Sequence, residues 1–414
     1  MLARRDIVLS LTGPFGQGGL VDVVRNLQSA LAEFRIELQW LGCGARAAEF
    51  AQRQARSEDW QWGEIVGAAL EDEKTIAEEY RKAIIERRPS AVLFNILTGP
   101  VATNLAAYLP REIFRIAMVH SITPATYRAA RGMRNYFHAA IGVSPRISED
   151  LVKLCGFPAD AVFCAPNGVD YGRFAAQQRV DREDGPLRIL SCGRIEDIAK
   201  GIFWIPEIIA KARALGVDVT LTVAGDGPDR AELEKRVGRL GLQGCTQFRG
   251  WVHSQDLPRL YAEHDVFLFP SRFEGFGLTL VEAMAAGCVP VATKIRGVTD
   301  FVVQDGHTGI LFLSGEVNAA ARSLRRLGGD RRQLIAMRKA CREKSFERFD
   351  IREQARILVE VLKRVKAEPR RIKDPLPIER WSIMRSLRPA WWSRLPEPVK
   401  NHLRVLRERG RGLS

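Results

Sequence analysis

Two glutamates, Glu274 and Glu282, stand on either side of a glycine-rich turn. The apolar run Val266–Phe269 precedes this stretch, and Ala-Met-Ala-Ala-Gly follows at residues 283–287. This order predicts a strand, a tight turn and a helix that begins near Gly277. Because the first N–H groups of a helix lack intrahelical partners and its dipole is positive there, the turn can bind a phosphate. Carboxylates accept hydrogen bonds from hydroxyls, so the pair favours a nucleotide sugar as ligand.

The same stretch resembles the retaining glycosyltransferases of family 4, which have the GT-B fold. Their signature is two glutamates separated by seven residues in the setting E-G-F/Y-G-L, which Glu274 and Glu282 match. The resemblance covers about residues 13–366 and is densest over 143–313. It implies that Glu282 binds the ribose hydroxyls and that Glu274 contacts the donor sugar. The donor-binding residues that it implies in the turn are Gly275, Phe276, Gly277, Leu278 and Thr279. The alternative is an ordinary crossover with Glu282 on a solvated helix face.

Two cations, Arg194 and Lys200, follow a predicted strand that ends at Ser191. The resemblance implies that both bind the donor diphosphate, where they can neutralise a leaving pyrophosphate. The family usually has the lysine five positions after the arginine, with an acidic residue before the lysine. Here the spacing is six and Ala199 precedes the lysine, so the loop is one residue longer. A solvated loop is the alternative.

Other donor-binding residues are implied at the ends of predicted strands, where glycine lets backbone N–H groups approach a phosphate. The set is Gly18, Gly19, Gly193, Gly225, Gly250 and Val252. Two positions depart from the family pattern, because Arg296 and Asp300 stand where many members have G-G-x-x-E.

His120 stands at the end of a predicted strand, at a point where family members carry a histidine near the donor sugar. Histidine can donate a hydrogen bond to a sugar hydroxyl or hold charge near the transition state. A partly buried structural histidine is the alternative, since the aspartate that usually follows is absent here. The catalytic residues implied by the resemblance are His120, Glu274, Arg194 and Lys200.

The elements that must position these residues alternate between apolar strand-like runs and helical patterns. Strands are predicted at 7–11, 37–41, 91–95, 113–120, 139–144, 187–191, 217–224, 247–252, 266–270 and 289–293. Helices are predicted at 21–31, 76–86, 202–215, 228–240, 317–327, 331–348 and 351–366. This alternation indicates parallel sheets covered by helices on both faces.

The pattern restarts after a polar cluster at residues 182–186, which predicts two domains in series. The expected fold is α/β, with two Rossmann-like doubly wound domains facing across a cleft (GT-B) and a basic C-terminal extension. The expected divisions are an acceptor-side domain at 1–182 and a nucleotide-sugar domain at 183–350. A helix at 351–366 that can cross back to the first domain and a basic amphipathic tail at 367–414 complete the chain.

Composition limits the class of protein. The 414 residues are 46% hydrophobic and 27% charged, which is typical of a globular chain of two domains. No run of 18 apolar residues and no signal-peptide pattern is present. The seven cysteines are scattered, which favours a reducing, cytoplasmic compartment. No C-x-x-C occurs among them, which argues against a structural zinc site. No D-x-D follows a first-domain strand, so no metal site and no cofactor are expected beside the nucleotide-diphosphate sugar.

The tail at 367–414 carries half of the net charge of +14, with 12 Lys or Arg against 5 Asp or Glu. Trp381, Trp391 and Trp392 stand among arginines, as in segments that lie on anionic membranes. This predicts peripheral binding at the inner face of a membrane through 375–414. Packing of these aromatic residues on the enzyme is an equal alternative. No recognition motif supports nucleic acid as a partner.

The favoured activity is transfer of a sugar, with retention and without a metal, from a nucleotide diphosphate to a glycan or lipid-linked acceptor. The resemblance implies bacterial surface polysaccharide, lipopolysaccharide or glycolipid synthesis. A nucleotide-sugar 2-epimerase of the same architecture and a non-catalytic nucleotide-sugar binder are the alternatives. The E-G-F-G-L setting and the pair Arg194 and Lys200 argue against both.

Overall fold

The computed structural model describes residues 6–12, 19–44, 47–49, 52, 55, 57–95, 99–177, 184–389 and 399. Contacts divide these residues into two compact units. The first takes in the described residues up to Gly168 and those from Ile351 to Pro389, and the second takes in Val169–Asp350. Each unit is built on one parallel sheet, so the predicted pair of α/β units is confirmed.

The first unit has seven strands in the order β3-β2-β1-β4-β5-β6-β7. They are β1 Asp6–Leu11, β2 Ile36–Cys43, β3 Gly63–Val66, β4 Ala91–Asn95, β5 Phe114–Val119, β6 Ala139–Gly142 and β7 Val162–Cys164. The central strands are mostly apolar and buried on both faces, as expected when helices cover both sides of a sheet. The short outer strands β3 and β7 are absent from the sequence prediction because three or four residues carry no periodicity.

Helices of the first unit lie in the segment up to Gly168, and one more lies after the second unit in the chain. They are α1 Gly19–Ala32, α2 Glu73–Glu86, α3 Pro100–Asn104, α4 Pro124–Met133, α5 Pro145–Lys153 and, later, α15 Ile351–Ala367. Helix α15 packs its apolar face, which includes Ala355, Leu358 and Leu362, in contact with α1. Exposed Arg352 of α15 also lies 3.4 Å from Glu33, which directly follows α1.

The second unit has six strands in the order β10-β9-β8-β11-β12-β13. They are β8 Leu187–Cys192, β9 Val219–Ala224, β10 Thr246–Gly250, β11 Val266–Phe269, β12 Val289–Thr293 and β13 Ile310–Phe312. Its helices are α6 Tyr171–Ala175, α7 Asp197–Lys200, α8 Trp204–Ala214, α9 Arg230–Arg239, α10 Leu257–Ala262, α11 Leu278–Ala285, α12 Thr299–Val302, α13 Val317–Gly329 and α14 Arg331–Phe349. Buried Asp265, which binds Arg188 and Arg338, ties α14 to the amino-terminal edge of this sheet.

The change from one unit to the other falls at Gly168 and Val169, and not at the sequence boundary of 182/183. Residues 178–183, where that boundary was expected, lie outside the described part of the chain. The helix that follows the change, α6, contacts α10, α11 and α14 of the second unit. Residues 169–177 therefore belong with the second sheet, although they precede the polar cluster.

Residues 370–388, here called the strap, belong to the first unit and pack on the rest of it. The Trp381 ring lies 4.7 Å from the Tyr108 ring, and Asn104 donates a hydrogen bond to the Ser382 carbonyl at 3.0 Å. A Cβ on Gly132 of α4 would lie 2.1 Å from Ser386 Oγ, so this close contact requires glycine. Trp381 thus follows the packing alternative, whereas Trp391 and Trp392 lie outside the described residues. Within the described residues, no helix combines the length and apolar character needed to cross a membrane.

Candidate active site

The predicted site residues of the second unit gather where its strand order reverses. Strand β8 has β9 on one side and β11 on the other, so the loops after β8 and β11 diverge from a common crevice. In open parallel sheets such a crevice at the carboxyl ends of the strands is the usual ligand site. The β8 loop carries Arg194 and Lys200, and the β11 loop carries Glu274.

Close backbone packing forms one wall of this crevice. Gly193 N–H donates to the Ala224 carbonyl at 3.0 Å, and Gly225 N–H donates to the Gly250 carbonyl at 2.7 Å. A Cβ on Gly225 would lie 1.9 Å from the Gly193 carbonyl oxygen, so only glycine fits there. The glycines at the ends of β8, β9 and β10 therefore hold three strand ends together, which is a structural role beside the predicted donor contact.

Lys200 and Glu274 meet directly. Lys200 ends the short helix α7, and its Nζ lies 2.5 Å from Oε1 of Glu274. The helix is closed by Gly201 at φ +60°, and a Cβ there would lie 2.3 Å from the Pro270 carbonyl. The longer loop thus still delivers the lysine to the β11 loop. Arg194 is different, because its side chain is 66% exposed and 3.6 Å from Glu196.

A small pocket lies between these loops. Arg194 and Lys200 both line it, together with Cys192, Gly193, Phe269 and Ser271. Burial raises the pKa of the Cys192 thiol to about 12, so this group stays protonated and uncharged at pH 7. Lys200 Nζ is 5.7 Å from the Phe269 ring centre. The pocket therefore combines two cationic side chains with uncharged walls, which suits a phosphate group.

The glycine-rich turn leads into α11 as the sequence predicts. Gly277 has φ +91° and caps the helix, which begins at Leu278. The N–H groups of Leu278 and Thr279 are in its first turn, where intrahelical partners are lacking. Phe276 is buried and its ring packs 5.7 Å from Phe349, so only its backbone can face a ligand. The packing of Phe276 in the apolar core thus fixes the position of the turn.

Glu282 is buried in the middle of α11 and does not lie on a solvated face. Its residue is 8% exposed, and the Tyr261 hydroxyl donates to Oε2 at 3.1 Å. Tyr261 is fully buried on α10, and burial raises its phenol pKa well above the usual value. A protonated phenol is a fixed donor, so it orients the carboxylate.

His120 lies in the first unit and has one clear partner. Its Nε2 is 2.8 Å from Asn95 Oδ1, while the Asn95 amide nitrogen donates to Ser10 Oγ and to the Leu11 carbonyl. Since that amide nitrogen is the donor, Oδ1 must accept, and His120 Nε2 carries the proton. Burial lowers the pKa of His120 to about 4, so the ring is neutral at pH 7. Its Nδ1 is consequently an acceptor for a hydroxyl, because the one N–H of the ring already donates to Asn95 Oδ1.

The other predicted positions are distributed as follows. Gly18 lies outside the described residues, while Gly19 begins α1 and Val252 follows β10. Asp300, one of the departures from the family pattern, accepts a hydrogen bond from Gly297 N–H at 2.7 Å and so shapes the turn after β12. Among the described residues, no group of three His, Cys, Asp or Glu side chains is arranged to hold a metal ion.

Sequence reasoning missed the partners of the site. Asn95 was predicted only as a strand end and Tyr261 was not considered, yet each contacts a predicted ligand residue. Asp197 and Arg272, which lie inside the two site loops, form an ion pair at 2.6 Å. The available signal was a polar side chain directly after an apolar strand, which Asn95 provides.

Comparisons with known proteins show what the chain is similar to. Residues 186–330 match the family described as glycosyl transferases group 1. A sulfoquinovosyl transferase of Arabidopsis thaliana is 30% identical over 263 residues, 60% of this chain and 48% of that protein. The chain thus spans about half the length of that relative. A GDP-mannose-dependent alpha-(1-6)-phosphatidylinositol monomannoside mannosyltransferase of Mycolicibacterium smegmatis is 27% identical over 314 residues, 70% of this chain and 80% of that protein.

Among solved structures, Anabaena HepE in complex with UDP and glucose matches with a TM-score of 0.69. The sequences are 18% identical, over 86% of this chain and 99% of that one, so this likeness concerns the fold. The chain has the GT-B fold. The predicted GT-B fold is therefore confirmed, and the family match lies within the second unit.

Proposed function

We propose that this protein is a retaining glycosyltransferase that moves a sugar from a nucleotide diphosphate to a glycan or lipid-linked acceptor. The observation that carries the proposal is the meeting of Lys200 and Glu274 at 2.5 Å beside the pocket that Arg194 lines. Such a transfer requires cations that stabilise the leaving pyrophosphate, and next to them a carboxylate that binds the hydroxyls of the sugar.

The proposed roles follow from position and charge. Arg194 and Lys200 stabilise the negative charge that develops on the pyrophosphate, aided by the N–H groups at the start of α11. Glu282, oriented by Tyr261, binds the ribose hydroxyls. Glu274 binds a hydroxyl of the donor sugar. In this mechanism the leaving phosphate assists attack on the same face of the sugar, so no protein nucleophile takes part.

A role in sugar binding is also proposed for His120. As a neutral ring with a proton on Nε2, it presents Nδ1 as an acceptor. We propose that Nδ1 accepts a hydrogen bond from a donor-sugar hydroxyl, and that the ring carries no charge during turnover at pH 7. A protonated His120 would lose this acceptor.

The acceptor is proposed to be part of a surface polysaccharide, lipopolysaccharide or glycolipid, reached at the inner face of a membrane. The strap supports this through its charge, since Arg371, Arg380 and Arg385 are exposed while Trp381 packs on Tyr108. The mannosyltransferase relative from Mycolicibacterium smegmatis has a phosphatidylinositol-based acceptor by its name. Exposed arginines next to a packed anchor can approach anionic headgroups.

The test is a thermal-shift screen of nucleotide sugars followed by analysis of the product. A donor at 100 times its Kd should add about 2.7 kcal/mol to the stability of the protein. The product formed from the best donor and an acceptor extract should keep the anomeric configuration of the donor, measured by proton NMR. Conversion of donor alone to an epimer would support the epimerase instead, and binding without turnover of any acceptor would support a non-catalytic binder.

A further inference from the structure

The β8 and β11 loops are cross-linked by a second ion pair close to the one formed by Lys200 and Glu274. Nη1 of Arg272 lies 2.6 Å from Oδ2 of Asp197 and also donates to the Asp197 carbonyl at 2.7 Å. The Arg272 backbone N–H donates to the Ala199 carbonyl at 2.8 Å. Three bonds from one residue thus hold the loop segment that immediately precedes Lys200.

Both members of this pair are themselves fixed by further contacts. Asp197 accepts from Phe203 N–H through Oδ1 at 2.9 Å, and its own N–H donates to Asp229 Oδ2 at 2.7 Å. The Arg272 guanidinium lies 4.1 Å from the Trp204 ring centre. The two side chains are only 18% and 15% exposed, unlike the many solvent-facing ion pairs on the helices of this unit. An arginine with a carboxylate, a carbonyl and an aromatic face has little freedom to move.

The pair lies where the chain departs from the usual spacing of the arginine and lysine. The β8 loop, in which six positions separate Arg194 from Lys200, contains α7, whose first residue is Asp197 and whose last is Lys200. One cross-link therefore holds the start of this helix and the Lys200–Glu274 ion pair holds its end. Without the first, Arg272 would no longer fix the segment that precedes Lys200, and only the contact with Asp229 described above would still tie Asp197 to a neighbouring loop.

We propose that Asp197 and Arg272 are positioning residues that set Lys200 against Glu274 and so form the pyrophosphate site. The proposal rests on the proposed function, because Lys200 is taken to bind the donor diphosphate. Neither Asp197 nor Arg272 needs to touch the donor. Their effect is transmitted through Lys200, which makes the proposal testable by non-additivity.

The experiment measures the Kd for inorganic pyrophosphate and the kcat with the donor found by screening. Arg272→Met and Asp197→Asn are each made in the wild type and in Lys200→Ala. The asparagine keeps an oxygen for Phe203 N–H while removing the charge. In the wild type each variant should weaken pyrophosphate binding at least tenfold and lower kcat about 100-fold, as expected for a displaced catalytic group. In Lys200→Ala each should change either quantity less than about twofold, since coupled sites do not add.

Two controls keep the test specific. Arg272→Lys retains a cation within reach of Asp197 and should recover at least a tenth of the wild-type kcat. Arg259→Met breaks the exposed ion pair with Glu263, at 2.8 Å on α10, and should leave both quantities near normal. Should Arg272→Met fail to fold, Asp197→Asn and Arg272→Lys still give the comparison.

Equal fold-losses in the two backgrounds, or normal kcat in Arg272→Met, would overturn the positioning role. A wild-type protein that binds neither pyrophosphate nor any nucleotide sugar would instead overturn the proposed function. The two failures are therefore distinguishable from the wild-type measurements alone.

Discussion

Nζ of Lys200 lies 2.5 Å from Oε1 of Glu274, with the two side chains 30% and 11% exposed. The residue proposed to bind the pyrophosphate is thus paired with the residue proposed to bind the sugar. A donor that approaches this pair offers phosphate oxygens to the lysine and hydroxyl donors to the glutamate. Each side chain of the pair therefore exchanges its present partner for a group of the donor. Until the donor binds, the ion pair keeps both side chains in place.

Lys200→Ala should lower turnover by about 100- to 1,000-fold, since a group that stabilises charge in the transition state is removed. The same change leaves the Glu274 carboxylate without this partner, so thermal stability should also fall slightly. Lys211→Ala, at an exposed position on α8, is the matched control and should have neither effect. Near-normal turnover by Lys200→Ala would show that another cation serves the pyrophosphate.

Glu282→Gln should weaken binding of a nucleoside diphosphate by about 1–3 kcal/mol, because a charged acceptor for the ribose hydroxyls is lost. Tyr261→Phe removes only the hydroxyl that orients this carboxylate, so a smaller loss in the same direction is expected. Isothermal titration of wild type and both variants measures the difference. If wild type and Glu282→Gln bind the nucleoside diphosphate equally, the ribose role is refuted.

Much of the site could be predicted because it is encoded locally. The turn from Glu274 to Gly277 and the helix after it follow from glycine positions and from apolar spacing over a few residues. Ser144 followed by Pro145 was an equally local signal for the start of α5, and the structure shows that cap, but the sequence prediction does not include it.

Contacts between distant segments could not be predicted in the same way. Arg272 and Asp197 are 75 positions apart, and nothing near either residue indicates the other. Trp381 illustrates a second limit, because a tryptophan among arginines fits a membrane surface and a protein surface equally well. Only the position of Tyr108, 273 positions earlier in the chain, decides in favour of packing.

Donor turnover should survive EDTA, because two cations and a helix N-terminus are proposed to stabilise the pyrophosphate without a metal. The measurement is the release of nucleoside diphosphate before and after exhaustive chelation. Restoration of activity only by added Mg²⁺ or Mn²⁺ would contradict this expectation and would mean that a metal shares the role of Arg194 and Lys200.

His120 should make the protein sensitive to acid. Its pKa is lowered by burial to about 4, below the value near 6.5 in an unfolded chain, so the unfolded state binds more protons between these values. The contribution of this residue to stability is therefore complete above about pH 6.5 and is lost as the pH falls towards 4. The thermal midpoint of His120→Gln should drop less between pH 7 and pH 5 than that of wild type. An identical drop in both proteins would argue against a buried neutral ring.

Substitutions in the strap should distinguish packing on the protein from binding to a membrane. Trp381→Ala should lower the thermal stability, because an aromatic pair and buried area against Tyr108 are lost, worth about 1–3 kcal/mol. Replacing exposed Arg371, Arg380 and Arg385 by serine should leave stability unchanged. It should weaken sedimentation with anionic vesicles, by about 1 kcal/mol for each charge near the surface. High salt should weaken vesicle binding of the wild type in the same way, since the attraction is screened within a Debye length. If the triple serine variant still sediments like wild type, the strap is a packing element only and the protein reaches its acceptor by another surface.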